Sequence, residues 1–298
     1  FLVSAVIDQF QSANALTARA TAQLESIREI KKAQIVGYLE ERSGDMNILA
    51  QLIASLRSEA IRKLKAVETT KVQALQRYFG KRDSDMTMIA ESLTTRSALR
   101  EFREALYEDG GRVGGSLWNG YKEKYGPWYE TFVEEHGYYD VFLISAEGDV
   151  LFTVAEESDL GQNLLRGGLR DSGLGKAFTQ AMKEGKHVIE DYAPYAPSGN
   201  QWALFMASPV LDETGSPIGA VGLQLSTKEI NGIVNQRAGL TSTFESYMVG
   251  DAENPTLHSD RVVKEGKIGD PHATPDTELV LAGKEGINHK IGTTGAFE

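Results

Sequence analysis

Apolar residues in the first hundred positions recur every three or four residues, a spacing that places them along one face of an α-helix. Two such stripes, each interrupted by one arginine, consist of Ile35, Leu39, Arg42, Met46, Leu49, Ile53 and Leu56, and of Leu75, Phe79, Arg82, Met86, Ile89 and Leu93. Only three glycines precede residue 101, and no proline precedes Pro127. Because these two residue types interrupt helices, the pattern predicts long helices over residues 1–110.

The two stripes form an internal repeat at an offset of 40 residues. The matching pairs are Tyr38 and Tyr78, Arg42 and Arg82, Asp45 and Asp85, Met46 and Met86, and Ala50 and Ala90. Packing between helices, in a pair or a coiled coil, explains both stripes, and we expect a homodimer through the N-terminal helices. Alternatively, the two arginines pair with carboxylates on a neighbouring helix or subunit.

From about residue 137 the pattern changes to the alternation of β-strands, punctuated by turn residues. The predicted elements are a hairpin of 139–144 and 150–154, a helix over 174–183, strands over 187–195, 202–211 and 218–225, and a short helix over 228–235. They predict an α+β fold with a five-stranded, antiparallel sheet and a helix packed on it. A second series of strands, at 246–249 and 277–281, begins but stops before another sheet is complete. The predicted division is therefore 1–110 (helical), 111–236 (a complete module) and 237–298 (a partial second module).

The composition of the chain excludes several classes of function and partner. The 298 residues include 42 acidic and 31 basic side chains and no cysteine, with a formal net charge of −11. An acidic surface repels phosphate backbones, so we expect no nucleic-acid partner. Without cysteine there are no disulfides, thiolate nucleophiles or iron–sulfur clusters. No window has the roughly 18 consecutive apolar residues of a membrane helix.

Motifs for catalysis are missing from the sequence. The five histidines lack the close spacing of metal ligands, and we interpret them as isolated surface residues. The stretch Gly173-Leu-Gly-Lys176 is followed by Ala177, where a phosphate loop needs Ser or Thr. We expect no enzyme activity, no cofactor and no metal.

Several segments, in this order, resemble one family. They are Tyr138-Tyr-Asp-Val-Phe-Leu-Ile with its Glu-Gly-Asp turn, Glu190-Asp-Tyr-Ala-Pro-Tyr-Ala-Pro-Ser-Gly, Ala207-Ser-Pro-Val-Leu-Asp, Ile218-Gly-Ala-Val-Gly-Leu-Gln-Leu and Glu245-Ser-Tyr-Met-Val-Gly-Asp. Together they resemble the double Cache extracytoplasmic sensor region of bacterial methyl-accepting chemotaxis receptors, which consists of PAS-like modules behind a long helix that leaves the first membrane span. The segment from Ile27 to Ile35 resembles that helix.

The resemblance implies a receptor of the cell inner membrane whose sensor portion is periplasmic or extracellular. It implies that flanking spans are missing from this chain, that a small organic ligand binds the distal module, and that the long helix relays binding to a cytoplasmic signalling region. A histidine kinase or a diguanylate cyclase is an alternative output. A secreted or filament-forming structural or adhesion protein with a helical stalk is an alternative of another class.

Strand parity gives the first candidate ligand residue. Ile218, Ala220, Gly222 and Gln224 share one face of their strand, and small side chains beside one polar group indicate a concavity with a hydrogen-bonding anchor, Gln224. In amino-acid-sensing relatives a carboxylate stands at this position, and aromatic residues stand where this chain has Ser172 and Gly173. The sequence therefore does not predict an amino-acid ligand.

The other candidate ligand residues are aromatic or charged. Aromatic side chains suited to lining a site, or equally an ordinary core, are Tyr192, Tyr195, Trp128 and Trp202. Arg170, the counterpart of an arginine in amino-acid-sensing relatives, is a candidate for a ligand carboxylate or a plain surface residue. Asp140 and Asp191 are candidates for a ligand amine or for capping local turns.

Overall fold

The computed structural model of this chain describes residues 2–108, 110–237 and 241–287. The chain forms two compact units, Phe1–Thr70 and Lys71–Glu298. The domain boundaries at residues 110 and 236 stay predictions, and residues 238–240 and 288–298 of the predicted second module lie outside the described residues.

The first unit is helical throughout its described length. It belongs to helix α1, Leu2–Glu91, whose length agrees with the scarcity of helix-breaking residues. The first stripe is exposed, with Ile35 at 61% and Met46 at 65% of full accessibility. Among the described residues, no helix combines enough length with enough apolar character to cross a membrane.

The second unit contains the end of α1 and all other elements. These are α2 (Leu93–Glu108), α3 (Ser116–His136), β1 (Tyr138–Ser145), β2 (Val150–Thr153), α4 (Gly173–Glu184), β3 (Val188–Tyr195), β4 (Gln201–Leu211), β5 (Pro217–Leu225), α5 (Thr227–Val234), β6 (Val249–Gly250), β7 (Thr256–Leu257) and α6 (Pro275–Leu281). The first five strands form an antiparallel sheet in the order β2-β1-β5-β4-β3. The predicted α+β fold, with a long N-terminal helix and a five-stranded antiparallel sheet, is confirmed.

Two predicted strands of the second series differ in the structure. Residues 277–281 belong to helix α6, because Pro275 stands at a helix start and the Thr274 hydroxyl accepts from the backbone N–H of Thr277 at 3.1 Å. Of residues 246–249, only Val249 is in a strand, paired with Leu257. The described part of this region contains one two-stranded sheet, β6-β7.

Helices cover the five-stranded sheet on both faces, so strands β1, β4 and β5 are buried along most of their length. On one face, α2 and α3 contribute an aromatic cluster in which Phe152 lies 5.2 Å from Phe102 and 5.3 Å from Tyr129, between ring centres. On the other face, Leu174 and Phe178 of α4 pack over the sheet. We call this second side the α4 face.

Candidate ligand-binding site

A group of buried acceptors lies on the α4 face where β1, β3 and β5 meet the loops. Gln224 of β5 is opposite Asp140 of β1 and Phe205 of β4 in the strand register, and directly opposed residues share a face. The ring of Tyr195, at the end of β3, contacts Phe205 edge-on with ring centres 4.7 Å apart. Three predicted residues, Gln224, Asp140 and Tyr195, are therefore brought to one end of one face.

Gln224 is buried, with 4% of its surface exposed, yet only half of its amide is used. Its Nε2 donates to Ser198 Oγ at 3.3 Å, whereas its carbonyl oxygen Oε1 accepts no hydrogen bond. Ser198 in turn donates to Glu157 at 2.7 Å, and the hydroxyl of Tyr139 donates to the other oxygen of that carboxylate at 2.7 Å.

Asp140 is fully buried and ties β1 to the end of β2. Its carboxylate accepts from the backbone N–H groups of Val141, Val154 and Ala155 at 2.7, 2.8 and 3.1 Å, and from the Thr153 hydroxyl. Burial raises the pKa of Asp140 to about 7, these hydrogen bonds oppose the rise, and the nearby charge of Asp159 adds to it. Asp140 thus sits close to its titration point at neutral pH.

Asp159 lies in the loop after β2 and is also fully buried. Its Oδ2 accepts from the Tyr195 hydroxyl at 2.8 Å, and its Oδ1 accepts no hydrogen bond. Burial raises the pKa of Asp159. Burial also raises the pKa of Tyr195, and the charges of Asp159, Asp140 and Glu157 add to this rise, so these groups interact electrostatically.

We call Asp140, Glu157, Asp159 and Gln224 the acceptor cluster. In the described part of the chain, none of its three carboxylates forms an ion pair with a lysine, arginine or histidine. Buried carboxylates are ordinarily paired, so a cluster held only by neutral donors is unusual.

The concavity predicted beside Gln224 is partly filled. A Cβ at Gly222 would lie 3.1 Å from a methyl carbon of Leu174, which shows that α4 packs against the small residues of β5. Val221, Leu223 and Leu225 pack into the opposite core. The prediction that Ile218 shares the face of Gln224 is wrong, since Ile218 packs against that opposite core, next to a register shift between β4 and β5.

Tyr192, Asp191 and Trp202 are not part of the cluster. Tyr192 and Trp202 pack with the core on the opposite face, where the Tyr192 ring lies 5.1 Å from the ring of His258. Asp191 is exposed, accepts from the Tyr192 backbone N–H at 2.7 Å and lies 3.3 Å from His258 Nδ1.

The interpretation of the histidines as surface residues is wrong for His258. This residue is 5% exposed because it packs against Tyr192, and burial lowers its pKa. His289 lies outside the described residues.

Arg170 and Trp128 are also elsewhere. Arg170 is exposed in the turns before α4 and forms no ion pair with any residue in the described ranges. Trp128 lies on α3, 37% exposed, with its ring stacked 5.9 Å from that of Phe132.

Sequence reasoning missed Asp159, Glu157 and Ser198. A weak signal exists, because polar residues directly following a buried strand lie at the sheet edge; Glu157 and Asp159 come just after β2. Ser198 lies within a predicted turn, and serine is common in turns for structural reasons, so its presence there does not indicate a binding role. Only the fold brings these loop residues beside Gln224.

A second buried polar group connects α1 to the start of the sheet. Arg82 donates to Asp85 at 3.3 Å and to the carbonyl of His136 at 2.5 Å. Tyr138 donates to Asp85 at 3.0 Å, and His136 Nδ1 lies 2.9 Å from the same carboxylate. The guanidinium of Arg82 also lies over the rings of Tyr78 and Tyr138, at 4.5 and 4.6 Å. We call Arg82, Asp85, His136 and Tyr138 the anchor cluster.

Within this chain, the repeat arginines pair with carboxylates on their own helix and not on a neighbouring one, while pairing with another subunit stays a prediction. Arg82 pairs with Asp85, and Arg42 pairs with Asp45 at 3.0 Å and with Glu41 at 3.0 Å, all on α1. The reason is the spacing, since side chains three apart lie on the same side of a helix and meet without a second helix.

Two surface depressions lie away from the acceptor cluster. The larger, about 350 Å³, is lined by Leu99, Arg100, Arg103, Glu104, Tyr107, Asp212 and Ile218. The smaller, about 240 Å³, is lined by residues between the end of α1 and the loop after α4, including Glu91, Arg96 and His187. Both are shallow surface features bordered by charged side chains, without buried unpaired acceptors of the kind found at Gln224.

No family model and no curated protein matches the chain. Similar solved structures include the sensor domain of the V. cholerae histidine kinase DctB, at 16% identity, 60% of this chain, 59% of that chain and a TM-score of 0.43. The ligand-binding domain of the Pseudomonas aeruginosa PAO1 amino acid chemoreceptor PctC, in complex with GABA, is 13% identical over 74% of this chain and 76% of that chain, with a TM-score of 0.44. That of the Pseudomonas fluorescens chemoreceptor CtaA, in complex with L-serine, is 12% identical over 64% and 66%, with a TM-score of 0.41.

The chain therefore spans 59% of the DctB structure and 66% of the CtaA structure that it matches. Because their TM-scores are below 0.5, these likenesses do not support an assignment of function. Evidence for function has to come from the contacts within this chain. The solved structures that this chain is similar to include sensor and ligand-binding domains of chemoreceptors and of a histidine kinase, the class of protein that its sequence resembles.

Proposed function

We propose that this chain is the extracytoplasmic ligand-binding portion of a bacterial transmembrane chemoreceptor and that a small organic molecule binds at the acceptor cluster. One observation carries the proposal: two buried oxygens, Gln224 Oε1 and Asp159 Oδ1, lack any hydrogen-bond partner in the same group of side chains. A buried acceptor left unpaired costs roughly 1–3 kcal/mol. A bound ligand that donates to both oxygens recovers that free energy.

Strand β1 provides a route from the ligand to α1. Asp140 of the acceptor cluster and Tyr138 of the anchor cluster are two residues apart on this strand, and Tyr138 bonds to Asp85 of α1. A ligand that favours one position of β1 therefore biases how α1 is held. The ligand shifts the signalling equilibrium only by the difference between its affinities for the two states.

Placement and partners follow the same proposal. The Cache-like motifs support a periplasmic or extracellular sensor in an inner-membrane receptor, anchored through spans outside this chain, with no nucleic-acid partner and no catalytic role. The exposed first stripe, including Leu39 at 58% and Leu49 at 49% of full accessibility, supports a homodimer through the N-terminal helices. A histidine kinase or diguanylate cyclase output is the alternative to the chemotaxis output.

A small-molecule library screened by thermal shift and calorimetry tests the ligand site. Hits are expected to lose at least tenfold in affinity in Gln224→Met and Tyr195→Phe variants, because each loses one polar group of the site. Asp191→Asn and Arg170→Gln serve as matched controls, since both residues have sequence-based claims to the site but lie elsewhere. Normal binding by the first two variants, or equal losses in the controls, would contradict the proposal.

The same exposed stripe favours a second candidate, a structural stalk. A stalk needs only self-association of the helix, whereas a sensor also needs a ligand. Sedimentation over a concentration series separates the two: open-ended assembly with no ligand binding supports the stalk, and a discrete dimer that binds a ligand supports the sensor.

A further inference from the structure

Four neighbouring hydroxyl groups already donate to the carboxyl groups of the acceptor cluster. The hydroxyl of Thr153 donates to Asp140, that of Tyr195 to Asp159, and those of Ser198 and Tyr139 to Glu157. The amide nitrogen of Gln224 donates to Ser198. Two acceptors of the cluster, Asp159 Oδ1 and Gln224 Oε1, are buried without a hydrogen-bond partner among the described residues.

The charge of the cluster, like its unpaired oxygens, favours a ligand that carries N–H donors. Three carboxyl groups interact here without a basic side chain among the described residues, and Asp140 and Asp159 are fully buried. In the anchor cluster the similarly buried Asp85 has the guanidinium of Arg82. A neutral ligand could donate to the two free oxygens but would leave the negative charge of the cluster uncompensated. A cation with N–H groups donates to these oxygens and also compensates the charge.

The same inventory argues against a carboxylate on the ligand. Among the residues that the structure describes, no arginine or lysine pairs with a carboxylate of the cluster, and Arg170 is exposed and forms no ion pair. A ligand carboxylate would be placed among like charges with no partner, which costs affinity. A metal ion is disfavoured as well, since among the described residues no three His, Asp or Glu side chains converge on one point.

We infer that this site binds a small organic cation with at least two N–H donors, a primary ammonium or an amidinium, and no carboxylate. The inference deepens the proposed function and rests on it, because it names the ligand class for the same site. One N–H group donates to Asp159 Oδ1 and a second to Gln224 Oε1, and the positive charge offsets that of the three carboxyl groups.

Matched pairs of an amine and its parent amino acid test the inference directly. Calorimetry on the whole chain compares ethanolamine with serine, putrescine with ornithine, and agmatine with arginine. At least one amine is expected to bind, with a Kd at least tenfold lower than that of its amino acid. An amino acid that binds as tightly as its amine overturns the inference, and so does the failure of all six compounds to bind.

Variants locate the binding amine. Asp159→Asn and Gln224→Met are expected to raise its Kd at least tenfold, because a hydrogen bond between charged groups, or from a charged donor, is lost. Glu213→Gln is the matched control: this exposed carboxylate pairs with Arg100 at 2.6 Å, and the Kd should not change. Unchanged binding in both cluster variants, with melting curves that show folded protein, overturns the inference.

Failure of the inference is distinguishable from failure of the proposed function. If a neutral or anionic library compound binds and Gln224→Met abolishes its binding, the site is correct and the cationic class is wrong. If no compound of any charge binds to the folded chain, both are rejected.

Discussion

The anchor cluster and the acceptor cluster both bury carboxylates beside β1, yet they differ in what surrounds the charge. Asp85 has a guanidinium at 3.3 Å, an imidazole nitrogen at 2.9 Å and a tyrosine hydroxyl at 3.0 Å. Asp140 and Asp159 have only backbone N–H groups and hydroxyls.

This difference indicates which cluster stabilises the fold and which can respond to a ligand. Breaking a buried ion pair by removing one partner costs about 3–5 kcal/mol, because a charge remains buried alone. A carboxylate that already lacks a charged partner has no such pair to lose. We therefore expect the anchor cluster to stabilise the fold and the acceptor cluster to reserve its interactions for a ligand.

The largest effect is expected at Asp85. Asp85→Ala leaves Arg82 buried without its carboxylate and should lower the free energy of unfolding by about 3–5 kcal/mol, measured by urea denaturation. The repeat offers the control, Asp45→Ala: that pair with Arg42 is about half exposed, and its loss should cost less than about 1 kcal/mol. Similar losses in the two variants would show that burial does not separate the clusters.

The second effect is a pH dependence at Asp140. Its pKa is raised to about 7 in the folded state, against 3.8 ordinarily, so between these values the folded state binds the extra proton. The contribution of Asp140 to stability is therefore full below about pH 4 and declines as pH rises to about 7, by up to about 4 kcal/mol.

Asp140→Asn should flatten this decline, as measured by urea denaturation at intervals from pH 4 to 8. Asp45→Asn is the control, since its exposed carboxylate should leave the pH profile unchanged. A wild-type profile that rises over this range relative to Asp140→Asn would have the wrong sign and would refute the assignment.

A smaller loss is expected when the anchor cluster keeps its ion pair but loses one donor. Tyr138→Phe removes the hydrogen bond to Asp85 and should destabilise the protein by about 1.5 kcal/mol, since the acceptor is charged. Thermal unfolding measures the change. Tyr139→Phe is the exposed counterpart, and a greater loss there than at Tyr138 would contradict the ranking.

The smallest effect is expected at Asp159 in the absence of ligand. Asp159→Asn keeps the shape and still accepts from Tyr195, while it removes a buried charge with an unpaired oxygen. We expect a change between zero and a gain of about 1 kcal/mol in the free energy of unfolding. A loss above about 2 kcal/mol would show that this carboxylate is structural, like Asp85.

Much of the fold could be predicted from the sequence, because its signals are local. Alternation and turn residues placed all five strands of the main sheet within a few residues of their observed ends. Residues 277–281 were misassigned because their short apolar run, Leu279 to Leu281, suits a strand or a helix, and the deciding cap at Thr274 lies before the run. The two repeat arginines look alike in sequence, and only tertiary packing buries Arg82 and leaves Arg42 exposed.

The candidate site was less predictable, since a strand irregularity decides its membership. The register shows a β-bulge between Glu190 and Ala193, which reverses the alternation of side chains along β3. It brings Tyr195 to the α4 face and leaves Tyr192 in the opposite core. Parity worked for Gln224 because β5 pairs regularly with both neighbours from Gly219 to Gln224, although the register with β1 shifts directly after it. Loop residues such as Asp159 follow no periodic pattern, so their position in the fold could not be predicted in this way.

The close contact of α4 with its surroundings limits how this site can be altered, by selection or in the laboratory. A Cβ at Gly175 would lie 2.3 Å from the carbonyl oxygen of Leu169, and one at Gly222 would press on Leu174. A side chain at Gly175 would therefore require the backbone before α4 to move, and one at Gly222 would require Leu174 to shift by a few tenths of an ångström. New ligand specificities, such as those wanted in a biosensor, would have to be built from the loop that carries Glu157 and Asp159 and from the turn that carries Ser198.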